Sequence, residues 1–310
     1  MTRTLAAWAV FLAVAAAVPF VGPIAGDSYL MFLANVMLMF MTLALSWDVV
    51  ARTGQLSLAH AAFFGIGAYT VAIGYRTAAL HPLLGLALAS VIASAVALLL
   101  GLATLRLRGI YFAIATLAFA EVLRTLSLQV PGLTGGPVGI SMPPLFGGDR
   151  VLSYYLAALI FVLALGLSLA VRFSALHYAA SAIRANERVA AVMGIDVVRT
   201  KVLLFVASAV LAAMAGAFYM PFITHTDPYD AFSVERSVVS LVFPIFGGLY
   251  TTAGPVLGTL LLRSLEEYLR VTPPWKEGYQ VAYGAILVVS VLFLPRGIIG
   301  LLSARWRSSK

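Results

Sequence analysis

Apolar runs long enough to cross a bilayer recur from one end of the chain to the other. They fall at about residues 5–21, 29–50, 56–74, 83–104, 109–128, 151–171, 202–223, 237–250, 254–269 and 280–295. A hydrocarbon core roughly 30 Å thick takes about 20 apolar residues of helix, and backbone polar groups facing lipid must be satisfied within a helix or a closed barrel. With 62% hydrophobic and 10% charged residues, a soluble chain could not keep this much apolar surface from water. The sequence therefore predicts an all-α fold, a polytopic membrane helix bundle of about ten transmembrane helices with some short or broken spans. It forms a single membrane-spanning domain over residues 1–310. A first helical half (about 1–171) is joined by a cytoplasmic loop (about 172–201) to a second half (about 202–310). The least regular span, "SLVFPIFGGLYTTAGPVLGTLLL", holds Pro244, Gly247, Gly248, Gly254 and Pro255. It predicts a pair of broken or short helices.

A net charge of +8 would point a soluble chain toward nucleic acid, but in a membrane chain it reports topology, because Lys and Arg collect in cytoplasmic loops. Placing the N-terminus inside and alternating puts Arg3, Arg52, Arg106, Arg108, Arg172, Arg184, Arg188, Arg199, Lys201, Arg296, Arg305, Arg307 and Lys310 on the inner side, 13 of the 20 basic residues. Both termini are then cytoplasmic. Residues 1–26 read as an uncleaved first helix or as a signal peptide, and the length of the apolar part favours the helix. The chain has no cysteine and four scattered histidines without an H-E-x-x-H pattern, so no metal site is expected. No G-x-x-x-x-G-K-[ST] loop occurs, so the chain is expected not to hydrolyse ATP itself.

One stretch breaks the apolar pattern: "SALHYAASAIRANERVAAVMGIDVVRTK", Ser174–Lys201. Within it, Asn186 is a good N-cap, Glu187 sits where the helix dipole favours negative charge, and Gly194 suits the left-handed residue that ends a helix. Val189, Val192 and Met193 share one face at helical spacing. A rod about 10 Å long is unstable alone in water, so this face needs a surface. Two surfaces meet the need: the protein's own inner face or the lipid interface, and a groove on a cytoplasmic partner.

Polar groups within the spans are the other candidates. Gly54, Gln55, Ser57 and His60 open the third span, where polar side chains act either as interhelical glue or as part of a solute pathway. Gly65 and Gly67 permit close helix contact, with a substrate role as the alternative. "FFGIGAYT" (63–70) and "IFGGLYTT" (245–252) echo each other weakly across the halves, as paired interrupted segments do in repeat-built transporters. Glu121 with Arg124, and Arg263 with Glu266, stand three apart and can neutralise each other. Asp48 is expected to anchor an inner membrane end. The Gly- and Pro-rich outer loop Gln129–Arg150 could line a vestibule.

"RANERVAAVMGIDVVRTKVLLFVASAVLAAMAGAFY" resembles the cytoplasmic loop and following helix of LivM-type permease subunits of branched-chain amino-acid ABC importers. "TGQLSLAHAAFFGIGAYT", "LRGIYFAIATLAFAEVLR", "LTGGPVGI" and "VLFLPRGIIGL" resemble further motifs of that family, in the same order, over about residues 45–301. The resemblance implies ATPase coupling through Arg184, Asn186, Glu187, Ala190, Ala191 and Gly194. Gly54, Gln55, Ser57, His60, Gly65 and Gly67, polar or small within a span, are the candidate translocation pathway. The resemblance also implies ATP-binding cassette subunits that bind the ATP, a second homologous permease, an extracytoplasmic substrate-binding protein, and a lipid setting in a bacterial-type cytoplasmic (inner) membrane. No cofactor in this chain and no nucleic-acid partner are expected. The chain departs from the family pattern at Phe243–Pro244 and Tyr250–Ala253, which bears on substrate class. An ion-gradient-driven secondary transporter is the alternative, and it would need a coupling carboxylate such as Glu121 or Asp48.

Overall fold

The structure, a computed structural model, describes residues 2–21, 27–104, 106–107 and 109–272, together with 278, 281, 284–285, 288 and 297–300. The tenth expected span, 280–295, and most of the C-terminal motif 291–301 lie outside these residues. Eleven helices organise the described part: α1 (Thr2–Ala17), α2 (Ser28–Ala51), α3 (His60–Ala78), α4 (Pro82–Thr104), α5 (Ile110–Gln129), α6 (Arg150–Phe173), α7 (Ala175–Ala185), α8 (Glu187–Val192), α9 (Val197–Ile223), α10 (Val234–Gly247) and α11 (Ala253–Val271). Short polar side chains start several of them by accepting first-turn N–H groups. Asp27 caps α2, Asp149 caps α6, Asp196 caps α9 and Ser233 caps α10.

Among the described residues, α2, α4, α5, α6 and α9 are long and apolar enough to cross a bilayer. The chain is thus an all-α bundle with several membrane spans. Helix α3 is more polar because protein, not lipid, surrounds most of it: Phe63, Phe64, Gly67, Ala68, Val71 and Ala72 are buried. It starts at His60 rather than near 56, since Gly54 takes a left-handed turn (φ +82°) and the chain runs non-helically to Ala59. Helix α10 has 14 residues, about 21 Å at 1.5 Å per residue, and is the short helix that Pro244 and the glycines predict.

Helix α9 is the central post, packed against α2, α3 and α4. Small residues make that packing possible. On α4, Gly85, Ala89, Ala93, Ala97 and Gly101 recur every four residues and form its buried stripe, leaving Leu84, Val91, Leu99 and Leu102 to face outward. Where α3 crosses α9 the backbones touch: a Cβ on Gly67 would lie 1.9 Å from the Ala213 carbonyl oxygen, and one on Gly216 would lie 1.9 Å from that of Phe64. Outside the bundle, β1 (Ile140–Ser141) pairs antiparallel with β2 (His225–Thr226), which ties the long loop 129–150 to the end of α9. Pro144, Leu145 and Gly148 of this loop help line a cavity of about 440 Å³.

Candidate functional site

The charged stretch folds as its capping residues dictate. Asn186 Oδ1 accepts from the N–H groups of Arg188 and Val189, at 3.0 and 3.3 Å. At the far end Gly194 is left-handed (φ +84°), with Ile195 N–H bonded to Ala190 C=O and Gly194 N–H to Ala191 C=O. This pair of bonds is the Schellman arrangement. A six-residue helix is thereby closed at both ends, and a third tie fixes its position. Glu187 forms an ion pair with Lys201 of α9, whose side chain is only 2% exposed.

Those constraints decide which face α8 presents. Ala190 is buried, whereas Val189, Val192 and Met193 are 57, 87 and 76% exposed. The apolar face does not fold back on the chain's own described residues. Among the described residues the protein supplies no surface for this face, which leaves the lipid interface and a partner groove as the surfaces that would cover it.

Arg184, on the preceding helix α7, reaches into the membrane domain. Its Nη1 donates to the Arg52 carbonyl at 2.9 Å, and its guanidinium lies over the Tyr250 ring, 3.9 Å from the centroid. Beneath it is a buried polar knot. Asp48 pairs with Arg52 at 3.0 Å and accepts the Tyr250 N–H at 2.7 Å. Arg52 also donates to the Ser168 carbonyl and hydroxyl oxygens at 2.9 and 2.6 Å, and the Ser168 hydroxyl donates to that of Thr252 at 3.1 Å. A buried ion pair is tolerated only when its remaining hydrogen-bonding capacity is met, and here four segments meet it. The knot joins α2, α6, α7 and the α10–α11 turn. Tyr250 adopts φ +63° in that turn and holds Asp48 and Arg184 together.

The sequence-selected residues divide accordingly. Gly54 is brought against Arg184, whose Cγ would lie 3.2 Å from a Cβ at position 54, so the charged loop and the 54–67 motif meet. Gln55 lies beside the knot and is hydrogen-bonded to Thr53 at 3.2 Å. Ser57 anchors the non-helical entry to α3: Trp47 Nε1 donates to its carbonyl at 2.8 Å and its hydroxyl accepts from Ala59 N–H at 3.2 Å. Neighbouring backbone groups are met by Thr116 and Ser237, as non-helical backbone within a membrane domain requires. His60 Nε2 bonds the Ser208 hydroxyl at 2.9 Å, linking α3 to α9. Gly65 makes room for the Phe232 ring, which would lie 2.2 Å from a Cβ at position 65. The His60 and Gly65 contacts join helices, as the glue reading has it, whereas the Gln55 side chain and the Ser57 hydroxyl bond, among the described residues, only within their own segment. The echo between 63–70 and 245–252 carries no repeat, since the first lies within α3 and the second runs from the end of α10 through a turn. Glu121–Arg124 and Arg263–Glu266 form the expected ion pairs. Lys201, Arg52 and Ser168 are not among the sequence-derived site candidates, and Tyr250 and Thr252 stand out in the sequence only as departures from the family pattern. The i,i+4 spacing of Asp48 and Arg52 at an inner helix end was the one local sign of the knot.

The model of the branched-chain amino acid transport system permease component family matches residues 29–292. This chain belongs to that family. The permease is 30% identical over 300 residues to the high-affinity branched-chain amino acid transport system permease protein LivM of Salmonella typhimurium, covering 86% of this chain and 69% of the relative. LivM of Escherichia coli matches with the same identity and coverage. The permease protein LivH of the high-affinity branched-chain amino acid transport system of Escherichia coli is 27% identical over 181 residues, 54% of this chain and 58% of the relative. No solved structure matches. As a permease component with several apolar spans, the chain is a multi-pass membrane protein of solute transport.

Proposed function

We propose that this permease is a transmembrane subunit of an ATP-driven importer for branched-chain or related amino acids. It sits in the cytoplasmic membrane with both termini inside. ATP is bound by separate ATPase subunits, and this chain carries no cofactor of its own. A second homologous permease completes the pathway, and an extracytoplasmic binding protein delivers the solute. The observation that carries this reading is the capped helix α8, fixed through Glu187 to α9 while its apolar face stands exposed. An exposed apolar patch on a rigid mount suits insertion into a groove of a partner. Arg184, Asn186, Ala190, Ala191 and Gly194 shape and mount that helix, and movement imposed on it reaches α2 and the α10–α11 turn through Arg184.

The gradient-driven alternative needs a carboxylate that binds and releases a cation during transport. Asp48 is held by Arg52 and the Tyr250 N–H, and Glu121 by Arg124. These partners favour an occupied structural role over a cycling one. The deciding experiment is uptake of labelled L-leucine by the permease's native cells, compared with cells that lack it. Uptake that stops on ATP depletion and persists with a protonophore supports the proposal. Uptake that survives ATP depletion but collapses with the protonophore refutes it.

A further inference from the structure

The outer half of the bundle holds a second feature that the coupling argument leaves unused. A cavity of about 240 Å³ lies between α2, α9, α10 and α11. By the charge-derived topology the Ser28 end of α2, the Ile223 end of α9, the Val234 end of α10 and the Val271 end of α11 all lie outside, and the lining runs from these ends to Phe40 and Arg263 at mid-helix. One wall is apolar: Phe32, Leu33, Val36, Phe40, Ile223 and Val239. Beside the hydroxyls of Tyr219 and Ser233, the remainder is charged, with Asp230, Glu235, Glu267, Arg236, Arg263 and Arg270.

Charged side chains on membrane helices are costly and by default mark a functional site. Three carboxylates and three guanidiniums make the lining formally neutral, so it favours neither an anion nor a cation but offers a partner to each sign. Most of these groups are held in place. Arg236 pairs with Asp230 at 2.5 Å and lies 4.3 and 4.4 Å from the Phe64 and Tyr219 ring centroids. Arg270 pairs with Glu267 at 2.8 Å, and Glu267 also accepts from the Tyr29 hydroxyl. Arg263 pairs with Glu266 at 2.8 Å and lies over Phe40, yet its Nε is buried without a hydrogen-bond partner among the described residues. A buried donor left unpaired is costly, so Arg263, which lines the cavity, keeps hydrogen-bonding capacity for a carboxylate. Glu235, on the first turn of α10, is exposed at the cavity.

We propose that this cavity binds the transported solute as a zwitterion, its carboxylate on Arg263, its ammonium on Glu235, and its aliphatic side chain on Val36 and Val239. The inference rests on the amino-acid import reading above. The volume falls below the roughly 300–1,000 Å³ of pockets for drug-sized ligands and suits a single amino acid.

The chain has no cysteine, so one introduced thiol is its only one. Val239→Cys, and separately Val36→Cys, are made in the full permease in spheroplasts and alkylated from outside with a membrane-impermeant maleimide. Leu133→Cys, on the outer loop, serves as the unprotected control. L-leucine at about nine times its Kd is expected to slow alkylation at 239 and 36 by about tenfold, because only the unliganded fraction reacts. 4-Methylpentanoate and isopentylamine, each lacking one charge, are expected to leave the rate unchanged. Adding Glu235→Gln or Arg263→Gln should raise the half-protecting leucine concentration by about tenfold. Equal protection by all three compounds would overturn zwitterion recognition. No protection at either thiol in cells that accumulate leucine through the permease would overturn the site and leave the import reading standing. Absence of both protection and permease-dependent leucine uptake would overturn the import reading itself, and the site with it.

Discussion

Replacing Val192 by Glu tests the docking face of α8 with little disturbance to the fold. Val192 is 87% exposed and lies beside Met193, 76% exposed, so in the isolated chain the new carboxylate remains in water and breaks no packing. A partner groove that covered the valine would gain about 1.5–3 kcal/mol from its burial. Loss of that amount weakens association by about tenfold to a hundredfold at 1.4 kcal/mol per decade, before any cost of burying the new charge. The assay is purification of the tagged permease in mild detergent, with quantitation of the co-purifying ATPase, alongside thermal unfolding of the permease. The expected result is an unchanged yield and melting temperature with the ATPase largely lost. Ala190→Glu is the contrasting variant, because Ala190 is 2% exposed and its replacement should reduce the folded permease itself. Full ATPase recovery and normal uptake with Val192→Glu would refute the docking argument.

Other consequences follow from the same geometry. Asp48→Asn leaves Arg52 buried without its counter-ion, so unfolding in detergent should show a loss of about 3–5 kcal/mol; a double Asp48→Leu, Arg52→Leu variant should recover much of it. Gly67→Ala should abolish folded protein in a size-exclusion assay, since its methyl meets backbone, and no second substitution in α9 side chains should restore it. Gly65→Ala meets only the Phe232 ring, so Phe232→Ala should rescue it in the same assay. Gly194→Val forces a β-branched residue into φ +84° at a cost of about 1–3 kcal/mol. Insertion should persist while ATP hydrolysis runs without uptake, and Gly194→Asn should be the milder variant because Asn tolerates the left-handed region. Glu187→Lys sets two cations together against the nearly buried Lys201 and should uncouple hydrolysis from uptake in the same way.

What could be read along the chain was whatever depends on neighbours a few residues away. Each described span lies within a few residues of its apolar run, because length and hydropathy suffice to commit a helix to lipid. The Asn186 cap and the left-handed Gly194 emerge as expected because capping is settled within one turn. The i,i+3 ion pairs at 121–124 and 263–266 form for the same local reason. The third span shows where that reading stops: its apolar run continues back toward residue 56, yet Gly54–Ala59 stays non-helical, because Trp47, Thr116 and Ser237 from three other segments satisfy its backbone.

Periodicity placed Val189, Val192 and Met193 on one face, but only the packing of Ala190 and the Glu187–Lys201 pair turned that face outward. Sequence marked Gly54 and Arg184 for different roles, and the fold brought them into contact. Asp48, Arg52, Ser168, Arg184, Tyr250 and Thr252 spread over more than 200 positions, and no local pattern links them. They meet because the ends of α2, α6 and α7 and the α10–α11 turn converge in the packed bundle. Hydropathy determined that this chain spans a membrane; the placement of its buried charges was decided by which helix ends converge, a property of the packed bundle alone.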